Sequence, residues 1–370
     1  MNRNVWASKL YYRMCCLVLF YVAAAAAFNG YFNKRHFNET GTFGAYPDHR
    51  FETMLDGTAA RPYVYRQMLP MLANWIDLHI PEQTKDRLFS ATAHDGKPFR
   101  EHLFSTSVAQ SREYFLRYFF IWGADFLFVW ISICAMYLVG KSAGYSPPIA
   151  ALAAIILALL LPFFMTAGGY FYDYPELAFL ALAVWMALKF DWWWLIPVVA
   201  LATWNKESFL LFIPTLYPLL RQRSSRIKAL AGTGTLGLTC AAVYYSLRLR
   251  FRHNPGGTVI WNDQITSLFH PSNLLTHDTT YGIPILSSYN PLTLVLIGWT
   301  VWRGWRCLPR PIQRHAQLAA VINLPLYLLF CVSGELRDLS LLYIALLLLL
   351  GANLTAWANV QTKNPTLTSE

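Results

Sequence analysis

The chain is predicted to be an all-α polytopic membrane protein: about ten transmembrane helices with a long, partly helical first outer loop. Three observations carry this. Of its 370 residues 55% are hydrophobic and only 14% charged, where a soluble domain carries about a quarter charged residues. Apolar runs of bilayer length recur along the chain. Lysines and arginines crowd alternate short gaps between those runs, the pattern that sets membrane orientation.

The apolar runs lie at 14–30, 115–139, 148–168, 174–190, 192–205, 207–220, 228–247, 291–304, 316–333 and 339–358, within a single transmembrane domain spanning 1–370. The runs at 192–205 and 207–220 are too short to cross alone and are expected to form a hairpin. Arg3, Lys9 and Arg13 precede the first run, and Lys141, Lys189, the group Arg221 to Lys228 and the group Arg303 to Arg314 follow at alternate turns. Ten spans put all of them on the cytoplasmic side together with both termini. The loops 31–113 and 248–290 then face outward, and 359–370 reads as a disordered cytoplasmic tail. Arg248, Arg250 and Arg252 fall on the outer side against the charge rule: either the topology slips there or these arginines meet an anion, the favoured reading. The first run is not read as a cleavable signal, because Phe28 and Tyr31 suit a cleavage region poorly and nine more runs follow. A multi-pass protein of the cell (inner) membrane is the expectation.

Charge and cysteine usage exclude other classes. The net charge of +10 resides mostly in the cytoplasmic loops, where it faces anionic membrane lipids, and nothing in it implies nucleic acid. None of the six cysteines lies in an outer loop, so no disulfide is expected. No Cys/His set has metal-site spacing and no internal repeat is found, so no cofactor is expected, with a divalent metal left open.

The loop 31–113 is too long to be structureless. Val64, Met68, Leu72, Trp75, Ile76 and His79 recur near helical spacing, which predicts an interfacial helix, with Pro70 as a break or kink.

Charged residues stranded between apolar runs are the functional signal, because charge at membrane depth is costly. Tyr172-Asp-Tyr-Pro-Glu176 opens the fourth run, Lys206-Glu207 fills the gap inside the short hairpin, and Glu335, Arg337 and Asp338 precede the last run. Arg61 and Arg66 stand in the first outer loop. Ten spans put all of these on the outward face. Each has a bland alternative. Asp173 would serve as a helix N-cap, Lys206 and Glu207 as a structural ion pair, Arg61 and Arg66 as lipid-headgroup contacts, and Arg337 as a helix-end anchor. Asp125, inside the second run, needs a partner or a neutral form, with a structural hydrogen bond as its bland role.

The segment Tyr46-Pro-Asp-His-Arg-Phe-Glu-Thr-Met-Leu-Asp-Gly57, followed by Arg61-Pro-Tyr-Val-Tyr-Arg66, resembles the first outer loop of the C-type integral-membrane glycosyltransferases. The shared features are an acid soon after the first span, an Arg-aromatic pair, a second acid, Met-Leu and Asp-Gly. The match is close over about a dozen residues and architectural elsewhere, and this chain has Asp48-His49 where an Asp-Glu pair is usual. The resemblance implies transfer of a sugar from a polyprenyl-phosphate-linked donor to a lipid-linked or glycan acceptor on the outer face. It makes Asp48 the base, supported by Glu52. The chemistry then asks for cations on the leaving phosphate: Arg61, Arg66, Lys206 and Arg337, with Asp173, Glu176, Glu207 and Glu335 positioning them. A transporter or flippase, or a polymerase or ligase of lipid-linked polysaccharide, remains the alternative.

Overall fold

A computed structural model describes residues 3–38, 50–92, 107–164, 169–256, 277–286, 291–331 and 335–363, with 270, 272 and 275 singly. Among them the chain is helical throughout except for one short hairpin. The first helix, α1 (Arg3–Arg35), exceeds the predicted run of 14–30 because its polar ends continue the same helix. The long stretch after α1 carries α2 (Phe51–Leu55), α3 (Met68–His79), α4 (Glu82–Thr92) and α5 (Ser107–Gln110). The long helices follow: α6 (Phe115–Ser142), α7 (Pro147–Phe164), α8 (Asp173–Lys189), α9 (Leu195–Asn205), α10 (Phe209–Leu220) and α11 (Arg226–Arg250). After β1 (His277–Thr280) and β2 (Ile283–Leu286) come α12 (Pro291–Trp305), α13 (Arg310–Phe330) and α14 (Tyr343–Lys363), the last preceded by a 3₁₀ stretch Leu336–Leu342.

Four described segments are long and apolar enough to cross a membrane: Tyr11–Lys34, Phe115–Ser142, Pro147–Phe164 and Leu336–Asn359. The chain is thus consistent with a helical membrane protein. At the centre stands α8, apolar on every side, with twelve of its residues buried. It packs along α6, and its small buried residues Ala178, Ala181, Ala183 and Ala187 let neighbouring helices approach closely on more than one face.

Local chemistry sets the turns. After α6, Gly144 takes a left-handed φ of 96° and the amide of Tyr145 bonds back to Gly140, closing the helix. Pro147 and Pro148 then open α7, where proline costs no hydrogen bond. Ser225 caps α11 by accepting from the Lys228 amide at 3.3 Å. The turns after α8 and α10 lie at one end of the bundle, where the Arg223 guanidinium reaches the Leu188 carbonyl at 3.5 Å.

Pro70 does not kink the outer-loop helix. The helix starts at Met68, so Pro70 falls in its first turn, where the amide has no helical partner to lose. This loop is tied down: Asp56 accepts from Tyr114 at 2.6 Å and from Arg117 at 3.2 Å. That hydrogen bond, with burial and the carboxylate's charge behind it, pushes the Tyr114 hydroxyl up to about 12. The hairpin between β1 and β2 departs from the all-helical expectation. Its turn, Tyr281-Gly282, has both φ angles positive (55° and 76°), the form that suits the twist of antiparallel strands.

Candidate functional site

Three breaks in the helical bundle meet at one place. The first is the turn before α8. Gly169 is followed by Tyr170-Phe171-Tyr172, whose side chains alternate in direction. Phe171 packs edge-on against Phe37 and Phe51, while Tyr170 and Tyr172 stack on one another at 4.9 Å, 10° from parallel. Asp173 follows as the first residue of α8. It makes no N-cap bond; the residue in the cap position is Tyr172. The second break separates α9 from α10, where Lys206 is extended (φ −152°, ψ 121°). The Asn205 amide donates to the Tyr172 carbonyl at 2.8 Å and locks this break onto the first. The third is the stretch Glu335–Leu342 ahead of α14.

The side chains from these breaks form one charge network. Lys206 Nζ lies 2.7 Å from Glu176, 3.4 Å from Asp173 and 3.8 Å from Asp338. Arg337 straddles Asp173 at 2.9 and 3.1 Å with one nitrogen and pairs with Glu335 through the other. Tyr31 of α1 donates to Asp173 at 3.0 Å, and Ser340 donates to Glu176 at 2.8 Å. At the rim, Arg66 forks onto Glu207 at 3.2 and 3.4 Å and bonds the Tyr172 hydroxyl. Burial opposes the Arg66 charge, but Glu207 and Tyr172 outweigh it and hold the guanidinium well above its ordinary value. The tyrosine stack lines the cations. Arg66 lies 4.2 Å from the Tyr172 ring centre, Arg337 4.9 Å from that of Tyr170, and Lys206 5.6 Å from that of Tyr172.

Nine of the ten sequence-predicted site residues lie among the described residues, and seven of them belong to this network: Arg66, Asp173, Glu176, Lys206, Glu207, Glu335 and Arg337. Arg61 stands apart. Its guanidinium donates to the Gly256 carbonyl at 2.6 Å and its amide to the Pro255 carbonyl at 2.8 Å, so it staples the stretch after α2 to the segment after α11. Of the predicted catalytic pair, Asp48 lies outside the described residues. Glu52 sits on α2 beside Phe51, and its Oε2 is buried without a hydrogen-bond partner among the described residues.

Two features differ from a purely cationic phosphate pocket. Five carboxylates (Asp173, Glu176, Glu207, Glu335, Asp338) surround three cations. The accessible members are at the rim: Arg66, Glu207 and Asp338 have 11, 18 and 23% of their side chains exposed, against 2–9% for the rest. Beneath the network is a cavity of about 20 Å³, room for one water, walled by Ala27, Val129, Leu161 and Tyr343 and by the polar groups above it. Cys331, Glu335 and Asp338 bring their ligand atoms within 4.8 Å of one another, the one group of metal-ligand reach among the described residues. Asp125, expected to have either a partner or a neutral form, has no hydrogen-bond partner among the described residues at either carboxylate oxygen.

Sequence reasoning missed Tyr31, Ser340 and Asn205 as parts of this site. Tyr31 and Ser340 are polar residues at the ends of apolar runs and Asn205 adjoins the charged pair Lys206-Glu207, and only the fold shows what each faces. Tyr170 and Tyr172 had a signal, two tyrosines at i, i+2 before an acid, but interfacial position explains such residues equally well. No protein-family model matches the chain, and no curated protein or solved structure matches it.

Proposed function

We propose that this chain is a membrane-embedded glycosyltransferase that takes a sugar from a polyprenyl-phosphate carrier and passes it to a lipid-linked or glycan acceptor on the outer face. The observation that carries the reading is the convergence of Arg66, Lys206 and Arg337, from three distant stretches, with five carboxylates and two stacked tyrosines. Such a set supplies what the reaction needs. A fork of N–H donors holds a leaving phosphate, carboxylates accept or orient the acceptor proton, and aromatic faces flank a sugar ring. Asp48 is the proposed base and Glu52 its support, on the loop resemblance. Phosphate enters at Arg66 by taking the place of the Glu207 carboxylate on the same fork, one anion for another.

Ten membrane passages belong to this reading, with both termini cytoplasmic and the site outward. The chain reverses at each break, so the basic turns Lys141, Lys189, Arg221 to Lys228 and Arg303 to Arg314 share the end opposite the site. The residues 192–205 cover about 20 Å of a hydrocarbon core about 30 Å thick. Lys206 therefore lies recessed below the outer boundary, buried among Glu176, Asp173 and Asp338 behind the Arg66 rim. A cysteine at Ser224 should react with impermeant maleimide only after the membrane is opened. Labelling from outside in intact cells would reverse the topology and remove the site from the outer face.

The direct test of activity is transfer by purified protein from a panel of polyprenyl-phosphate sugars. One donor should lose its sugar to acceptor, and Asp48→Asn should reduce that rate by about 10²–10⁴-fold, the range for loss of a general base. Proteoliposomes that move the intact donor across the bilayer but release no sugar would make the chain a flippase instead.

A further inference from the structure

The turn that carries Arg66 has little structure of its own. Between Arg61 and Arg66 the chain makes one 3₁₀ turn, Tyr63–Tyr65. The Tyr65 amide closes it on the Pro62 carbonyl at 3.0 Å and the Arg66 amide on the Tyr63 carbonyl at 3.2 Å. A helical piece this short keeps no fixed conformation unless the rest of the chain imposes one. Its two tyrosines pack in different places. Tyr63 lies 5.6 Å from the Tyr170 ring and 5.1 Å from the Arg66 guanidinium, whereas Tyr65 packs edge-on against Tyr244 of α11 at 6.0 Å. The turn thus joins the charge network to α11.

What fixes the turn is the segment that follows α11. The Asn254 side-chain amide donates to two carbonyls ahead of it, Gly57 at 2.9 Å and Ala59 at 3.0 Å. The next two residues, Pro255 and Gly256, offer their carbonyls to the Arg61 amide and guanidinium. Here the two backbones run side by side as a parallel bridge between Arg61 and Gly256. The bridge requires glycine: Gly256 has a φ of 98°, and a Cβ would stand 2.6 Å from the Arg61 carbonyl oxygen. Behind the turn, Gln67 donates to the Met54 carbonyl at 3.2 Å, so both ends are held.

We infer that Asn254 and Gly256 are positioning residues for the donor's phosphate: the segment after α11 aims Arg66 by clamping the turn that carries it. The inference rests on Arg66 as the phosphate contact. Asn254 grips the chain seven residues before Arg66, and Arg66 keeps its fork on Glu207 only while the turn keeps its place. Forked N–H contacts are directional, and misplacing such a group by about 1 Å can cost about 10²-fold. The segment after α11 thereby shapes a site that Asn254 and Gly256 do not themselves touch.

The test is binding of polyprenyl phosphate to the purified full-length protein, with its melting temperature followed alongside. Asn254→Ala should weaken binding by about tenfold, the scale of one misdirected charge-assisted hydrogen bond. Asn254→Asp, the same shape without the amide donors, should bind as weakly. Arg66→Lys/Asn254→Ala should bind no more weakly than Arg66→Lys, because the clamp acts through Arg66. Ser225→Ala removes the cap at the far end of α11, and should lower the melting temperature while leaving binding unchanged. Binding by Asn254→Ala equal to the parent would overturn the inference, as would an equal loss in Ser225→Ala. A parent that binds no polyprenyl phosphate would instead remove Arg66 from the chemistry. Unfolding alone then decides the clamp: Asn254→Ala and Glu207→Gln should lose less stability together than the sum of their separate losses. Additive losses would overturn it.

Discussion

Arg337→Met is expected to leave little folded protein. Its guanidinium bridges Asp173 and Glu335, and all three side chains are less than 10% exposed. Removing it takes the guanidinium away from two buried carboxylates, and breaking one buried pair costs about 3–5 kcal/mol. Asp173 keeps Lys206 at 3.4 Å and the Tyr31 hydroxyl at 3.0 Å, which offset part of that loss. Arg337→Lys keeps the charge but not the fork, and should fall between the parent and Arg337→Met. Thermal unfolding in detergent measures this. An unchanged transition in Arg337→Met would mean that the network contributes nothing to the fold.

The second large effect is at Lys206. Lys206→Met leaves Glu176 with Ser340 as its polar partner, and a loss of about 3–5 kcal/mol is again expected. The double variant Lys206→Met/Glu176→Gln removes the stranded charge. It should recover at least about 1 kcal/mol of that loss, within the range of couplings between residues in contact. Transfer should be absent from both, so the pair separates folding from function: a stable double variant that still transfers would place Lys206 outside the chemistry. Additive losses would show that Lys206 and Glu176 do not act as a pair.

How much of this was legible in the sequence follows from what each signal encodes. Helical class is written in composition and run length, and the break at Lys206 is written in the charge between two short apolar runs. Seven charged members of the network were legible because charge at membrane depth has few bland explanations. Their pairing was not. Glu335 sits two residues from Arg337, but Asp173 meets Arg337 across 164 positions, and sequence carries no register for helix packing. Arg61 misled for the same reason: an arginine in an outer loop reads alike whether it faces phosphate or the carbonyl of Gly256. The excess of carboxylates was visible as a count, yet only assembly shows that each cation is already paired. Pro70 was misread because the proline rule depends on where a helix begins, and the amphipathic spacing starting at Val64 placed that start one turn too early. The hairpin at 277–286 had no strong signal, since Tyr-Gly is an uncommon pair for its turn.

The account stands on Arg66 as the point where the donor's phosphate enters, and binding of polyprenyl phosphate to the purified protein measures it directly. Arg66 is forked by Glu207, whereas Arg112 is a peripheral arginine bonded to Asp86 at 2.8 Å and Glu82 at 2.5 Å. Arg66→Lys should weaken binding by about tenfold or more, the value of a lost charge-assisted hydrogen bond. Arg112→Lys should bind as the parent does. Glu207→Gln should bind more tightly, because the competing carboxylate is gone. Equal affinity in the parent, Arg66→Lys and Glu207→Gln would contradict the account and leave the Arg66–Glu207 pair as a structural contact.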